Sequence, residues 1–208
     1  MLNPTETTTK KKRQPRKLPK VISREAVDRL FKGINTRCPT GLRNRTALEI
    51  MYRCGLRVSE ACHLSPDDID FKQGFIYVQQ GKGNKDRMVP MDLIIQNWCR
   101  KWFGTRPKGS QWFICTLKGG QVDDRYFRQV LERLSAKAGV YINDNHQKKP
   151  VHPHTLRHCY ATELIEDGFN IAEVKELLGH SSIATTQKYL SVRPSQLAEK
   201  IRKRTTGD

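Results

Sequence analysis

Between His152 and Tyr189 the chain marks where its helices must stop, and those stops gather four chemically capable side chains into one neighbourhood. His154 and Arg157 stand three residues apart, so on a helix they share one face and can meet one target. Gly168 suits the left-handed residue that closes such a helix. Asn170-Ile171-Ala172-Glu173 reads as a capping box opening a short second helix, with Gly179 as its left-handed end. His180 therefore falls at a sharp corner. Ser182 is the next N-cap, and the helix it opens carries Tyr189 about two turns along, near enough to fold back beside His180.

Each piece alone is commonplace, since HxxR occurs on many helices and a tyrosine near an apolar helix is usually a packed aromatic. The ordered series His154, Arg157, His180, Tyr189 is what carries weight. His152, His154 and His158 also raise the question of a metal cluster. No Cys or carboxylate completes a ligand set at zinc-like spacing, so no metal is expected.

Upstream, the pattern is α+β and mainly helical, with a small antiparallel sheet. Ser23 caps a helix with Val27, Leu30, Phe31 and Ile34 at helical spacing, and Ile22 and Val27 are placed as a hydrophobic staple. A second helix turns Ala47, Leu48, Met51 and Tyr52 inward, runs to about Cys54 and stops at Gly55. That leaves Arg57 at the start of a third helix, which Pro66 ends. Asp67-Asp68-Ile69-Asp70 would interest a two-metal nuclease but reads more simply as a turn and cap before the sheet. Residues 75–79 alternate as a strand, 81–85 form a glycine-rich turn and 87–89 return. Asp92 caps a helix, 112–115 form a buried strand or extended segment, and 123–138 form a helix ended by Gly139. Residues 140–153 read as a polar loop. A last helix starts at Pro194 and runs through Leu197 and Ile201.

The formal net charge of +17 favours a polyanionic partner, nucleic acid before an anionic membrane surface. No apolar run is long enough to span a bilayer and no signal peptide is evident, so the expected location is the cytoplasm, with the nucleoid if the source is bacterial. Residues 1–20 hold seven basic residues, among them Lys10, Lys11, Lys12 and Arg13, against Glu6, and read as a disordered basic arm. The arm's +6 leaves +11 on the rest, so the folded part is basic too. Arg125 and Arg128 on the helix over 123–138, and Lys148 and Lys149 in the following loop, are candidate DNA contacts, as is Lys85. The six cysteines are scattered without CxxC and read as reduced core thiols.

Gly55-Leu56-Arg57-Val58-Ser59-Glu60, Gly81-Lys82-Gly83, His154-Thr155-Leu156-Arg157-His158, Leu178-Gly179-His180 and Tyr189, in that order, resemble the signature of the tyrosine recombinase (phage integrase) family. The resemblance runs from about Leu18 to about Leu190. It implies a mainly helical catalytic domain and six catalytic residues, Arg57, Lys82, His154, Arg157, His180 and Tyr189. Tyr189 would attack a DNA phosphodiester and form a 3′-phosphotyrosine, the arginines and His180 would hold the phosphate, and Lys82 would be the general acid, with Lys85 the local runner-up. No cofactor is implied. Partners implied are double-stranded DNA and, on it, a homotetramer of a protein that is monomeric when free, with a possible accessory DNA-bending protein.

Members of the family usually carry an N-terminal core-binding domain. Here the expected layout is the arm over 1–20 and a catalytic domain over 21–208 without one, as a natural single-domain recombinase or a fragment. Two other functions use the same features: type IB topoisomerase-like relaxation, and a DNA-binding regulator without catalysis. Leu197 and Ile201 form a stripe too small to fold alone, expected to dock on a neighbouring subunit, the alternative being packing on its own domain.

Overall fold

The computed structural model describes residues 21–79, 86–144, 147–179 and 201–202. Helix α1 (Arg24–Lys32) opens at Ser23, whose hydroxyl accepts the Ala26 amide at 3.3 Å, and it buries Val27, Leu30 and Phe31. Helix α2 (Pro39–Arg53) starts with proline at its first turn, where a missing N–H costs nothing, and is buried along most of its length. It runs through the main core and packs on α4 (Leu93–Thr105) and α6 (Pro153–Glu166). Between α2 and α3 (Val58–His63), Gly55 adopts φ +63°, and a Cβ there would lie 2.4 Å from the Tyr160 ring. Both the conformation and the close approach require glycine.

The acidic cluster is local scaffolding. Asp68 accepts from the Ser65 amide and hydroxyl at 2.7 and 2.9 Å, and Asp70 accepts the Lys72 and Gln73 amides. It leads into an antiparallel sheet of β1 (Ile69–Asp70), β2 (Phe75–Val78) and β3 (Arg87–Pro90), in which Val78 and Arg87 form the pair nearest the chain connection between β2 and β3. Helix α5 (Asp124–Ala138) is capped by Asp123 and closed by left-handed Gly139. Arg43 lies over the Tyr126 ring at 4.9 Å and Asn44 donates to the Tyr126 hydroxyl at 2.9 Å, which ties α5 to α2.

Two sequence expectations change, and one open alternative is decided. The polar loop over 140–153 contains a hairpin, β4 (Tyr141–Asp144) paired with β5 (Gln147–Pro150). Strand β5 is exposed throughout, so the apolar alternation that advertises a strand is missing, and the buried bond from the Val151 amide to the Ser135 hydroxyl at 2.9 Å anchors its end. Of the two readings of 112–115, the extended segment holds: Phe113, Ile114 and Cys115 are buried, Trp112 is half-buried, and Cys115 makes only an isolated antiparallel bridge to Gln121. The Phe113 amide bonds the Leu64 carbonyl at 2.6 Å and the Phe113 carbonyl accepts from the Trp102 indole at 2.8 Å, so loop and side-chain partners satisfy it. Cys38 is exposed, whereas the other five cysteines are buried free thiols, as read.

Helix α6 joins two apolar clusters. Its Leu156 and Cys159 belong to the main core, while Tyr160 and Leu164 form a smaller cluster with Phe169, with Val174, Leu177 and Leu178 of α7 (Ile171–Leu178), and with Ile201. Ile201 is 1% exposed on its own domain, the alternative to subunit docking that the sequence left open, while Leu197 lies outside the described residues. Tyr52 donates to Glu163 at 2.6 Å and fastens α6 to α2.

Candidate active site

Arg57 caps α3 from a β-region conformation, and Glu60 one turn later folds back to accept its amide at 2.7 Å. The same carboxylate is the hub of three guanidinium groups. Arg57 Nη1 lies 2.6 Å from Oε1, Arg87 reaches both oxygens at 3.1 and 2.8 Å, and Arg157 Nη1 stands 3.7 Å from Oε2. Burial alone would raise the Glu60 pKa, but the bonds and charge of Arg87, with those of Arg57, outweigh it and hold the carboxyl at about 2. Three cations around one anion leave two positive charges over. Arg157 feels this surplus: burial and then Arg57 and Arg87 lower its pKa to about 10, against the pull of Glu60, so it remains charged at neutral pH.

The two motif arginines differ in setting. The Arg57 side chain is 32% exposed and that of Arg157 is 7%. Arg157 donates to the carbonyls of Gly55 and Leu178, both at 2.5 Å. Arg87 Nε donates to the Leu177 carbonyl at 3.0 Å. Two arginines thus cap the last carbonyls of α7, where a helix has orphan acceptors and the negative end of its dipole. Left-handed Gly179 closes the helix, its amide bonding the Glu176 carbonyl.

His154 is exposed on the first turn of α6, with the His152 ring edge-on at 6.2 Å. His158 follows one turn on, its pKa lowered by desolvation and by His154 and Arg157. The expectation that His154 and Arg157 share one target meets a difference in burial, because Arg157 turns inward to backbone carbonyls. Arg125 and Arg128 are exposed on α5, and Arg128 pairs with Asp124 at 2.8 Å. Lys148 and Lys149 are exposed on β5, and Lys149 pairs with Asp144 at 2.8 Å. Lys10, Lys11, Lys12, Arg13, Lys82, Lys85, His180 and Tyr189 lie outside the described residues.

Sequence reasoning missed the roles of Glu60 and Arg87. Glu60 stands at the third position of a helix that Arg57 opens, which is the capping-box spacing. Arg87 is two residues before buried Val89 on a strand, so it shares the face that points inward, where an unpaired arginine is not tolerated. Among the described residues no cluster of three His, Cys, Asp or Glu could hold a metal ion, and no helix is long and apolar enough to cross a membrane.

Comparison with known proteins places these features in a context. The sequence model of the Phage integrase family matches residues 20–196. Tyrosine recombinase XerA of Thermococcus kodakarensis is 40% identical over 181 residues, which is 86% of this chain and 60% of that protein. Tyrosine recombinase XerD of Listeria innocua is 36% identical over 90% of this chain and 63% of its own. The chain therefore spans under two thirds of the length of these relatives. The crystal structure of XerA recombinase superposes with a TM-score of 0.69 at 28% identity, covering 89% of this chain and 65% of that one. XerH site-specific recombinase bound to its difH substrate, in a pre-cleavage complex, gives 0.66 at 26% identity over 80% of this chain and 48% of that one.

Proposed function

Because the chain belongs to the phage integrase family and carries a tyrosine recombinase catalytic domain, we propose that it binds double-stranded DNA and catalyses site-specific strand exchange through a covalent 3′-phosphotyrosine. The observation that carries this reading is the surplus of positive charge around Glu60. A phosphodiester under attack gathers negative charge on its non-bridging oxygens, and preformed cations stabilise that charge without reorganising. Arg57, on the more exposed side, offers a planar fork to those oxygens, and Arg157 backs it from the wall. Of the five N–H donors of Arg157, two reach backbone carbonyls, which fixes the plane of the fork.

The step balances without metal or nucleotide. The Tyr189 phenolic oxygen bonds to phosphorus as the bond to the 5′-oxygen breaks. His154 takes the phenolic proton, Lys82 gives one to the departing 5′-oxygen, and His180 donates to the phosphate. The phosphotyrosine keeps the ester energy, so a 5′-hydroxyl from a second duplex reverses the step and joins a new partner. Strand exchange then requires four copies on two duplexes, assembled on DNA from monomers, with an accessory DNA-bending protein where the site spacing demands it. Residues 1–20 and the basic side chains of α5 and β5 add sequence-independent phosphate contacts.

The test uses nicked duplexes made from DNA that co-purifies with the protein, so that the short cleaved fragment diffuses away. A band that survives denaturation and is lost in Tyr189→Phe, with duplex binding retained, is the expected result. An adduct that persists in Tyr189→Phe and maps elsewhere overturns the assignment. Relaxation of supercoils without exchange of partners would place the chemistry with topoisomerases, and binding without any adduct would leave a regulator.

A further inference from the structure

We propose that Arg87 is a positioning residue for this reaction, a clasp that ties the end of α7 to the Glu60 hub. Its guanidinium does three things at once. Two nitrogens grip both oxygens of Glu60 at 3.1 and 2.8 Å, and the third donates to the Leu177 carbonyl at 3.0 Å. With 7% of the side chain exposed, it is enclosed by the partners it joins. The clasp rests on the proposed function only in its consequence for catalysis; its geometry stands independently.

The position explains why an arginine is needed there. Helix α7 belongs to the smaller apolar cluster and Glu60 sits on α3, whose apolar residues belong to the main core. Arg157 and Arg87 are the guanidinium groups that cross from one to the other at the α7 end. Arg87 is also the β3 residue paired with Val78, the last pair before the segment of sequence that contains Lys82. A single planar fork therefore connects that last pair, the carboxylate that orients Arg57, and the carbonyl two residues before Gly179, which His180 follows. Lysine would keep the charge but, as a single-point donor, cannot hold a carboxylate bidentately and a carbonyl together.

Two variants test this, Arg87→Lys and Arg87→Gln, each checked for a cooperative melt and used below its midpoint. Arg87→Lys is expected to bind the nicked duplex that the wild type cleaves within about threefold, yet form the adduct at saturating DNA about tenfold or more slowly, a loss in the bound complex rather than in affinity. Hydrogen exchange of the last-turn amides of α7 should rise in the same variant while α4 amides stay unchanged. A role confined to general stability would raise exchange in both helices alike. Adduct formation within twofold of wild type, or an α7 end as protected as before, overturns the proposal. If the lysine variant does not fold, Arg87→Gln, which can still donate to Leu177 but cannot fork on Glu60, supplies the same two readouts. A wild type that makes no adduct on any duplex defeats the functional reading instead, and the exchange measurement alone then judges the clasp.

Discussion

The two apolar clusters of this molecule are built to different standards. The main core closes around α2 with large side chains at no exposure, including Leu48, Trp102, Phe113 and Phe127, and polar ties such as Asn44 to Tyr126 and Arg53 to Asp92 only supplement the apolar contact between its helices. The smaller cluster under α6 and α7 has fewer apolar residues, and its boundary with the rest is largely polar: Tyr52 to Glu163, Arg157 to Gly55 and Leu178, and Arg87 to Leu177. Apolar packing is non-directional and tolerates small shifts, whereas guanidinium-to-carbonyl bonds fix distance and angle. The region that the proposed reaction needs placed to a fraction of an ångström is the one fastened by directional bonds.

Changes at the seam between the clusters should break this arrangement, and the largest effect is expected at Gly55. Gly55→Ala meets both a left-handed backbone and Tyr160 carbons at 2.4 and 2.8 Å, so urea unfolding should show a loss of about 3 to 5 kcal/mol. A loss under 1 kcal/mol would mean that the seam is looser than described.

Glu60→Gln comes next. A carboxyl held at about 2 against an ordinary value near 4.5 contributes on the order of 3 kcal/mol at neutral pH. Because the folded pKa is the lower one, that stability is present above about pH 4.5 and is lost as pH falls towards 2. The difference between wild type and Glu60→Gln in denaturant melts should therefore be full at pH 7 and shrink on acidification below 4.5. A difference that does not change with pH would show that Glu60 is not the charged hub.

The smallest effect lies on the outer surface, away from the seam. Arg125→Gln with Arg128→Gln should flatten the plot of log affinity against log salt by up to about two units, at roughly 0.9 per phosphate contact. An unchanged slope would make the exposed face of α5 a solvated surface only.

Much of this was readable before any coordinates, for physical reasons that differ by element. Caps and stops are local, so Ser23, Asp92, Asn170 and the left-handed residues Gly139 and Gly179 could be placed from a few neighbouring residues. The motif order pointed to Arg57, His154 and Arg157, and the fold brings both arginines to one carboxylate. What could not be read was non-local. Glu60 becomes a hub only because Arg87 and Arg157 arrive from 27 and 97 residues away in sequence. Arg157 was read only as sharing a helix face and a target with His154, because HxxR says nothing of the Gly55 and Leu178 carbonyls that it meets. The β4–β5 hairpin escaped because a fully exposed strand of Gln147, Lys148, Lys149 and Pro150 lacks the alternation on which strand reading depends.

The central claim is that the guanidinium groups around Glu60 stabilise the charge of the phosphate under attack. It is tested most directly by changing that charge on the DNA. Single-turnover adduct formation should be measured for wild type and Arg57→Ala on the same nicked duplex, with either the ordinary phosphate or a methylphosphonate at the cleaved linkage. On the phosphate, Arg57→Ala should be slower by about 10²–10³-fold, the loss typical of one preorganised charge-stabilising group. On the methylphosphonate, which has one negative charge fewer to stabilise, most of that deficit should disappear. An Arg57→Ala deficit of the same size on both duplexes would contradict the account.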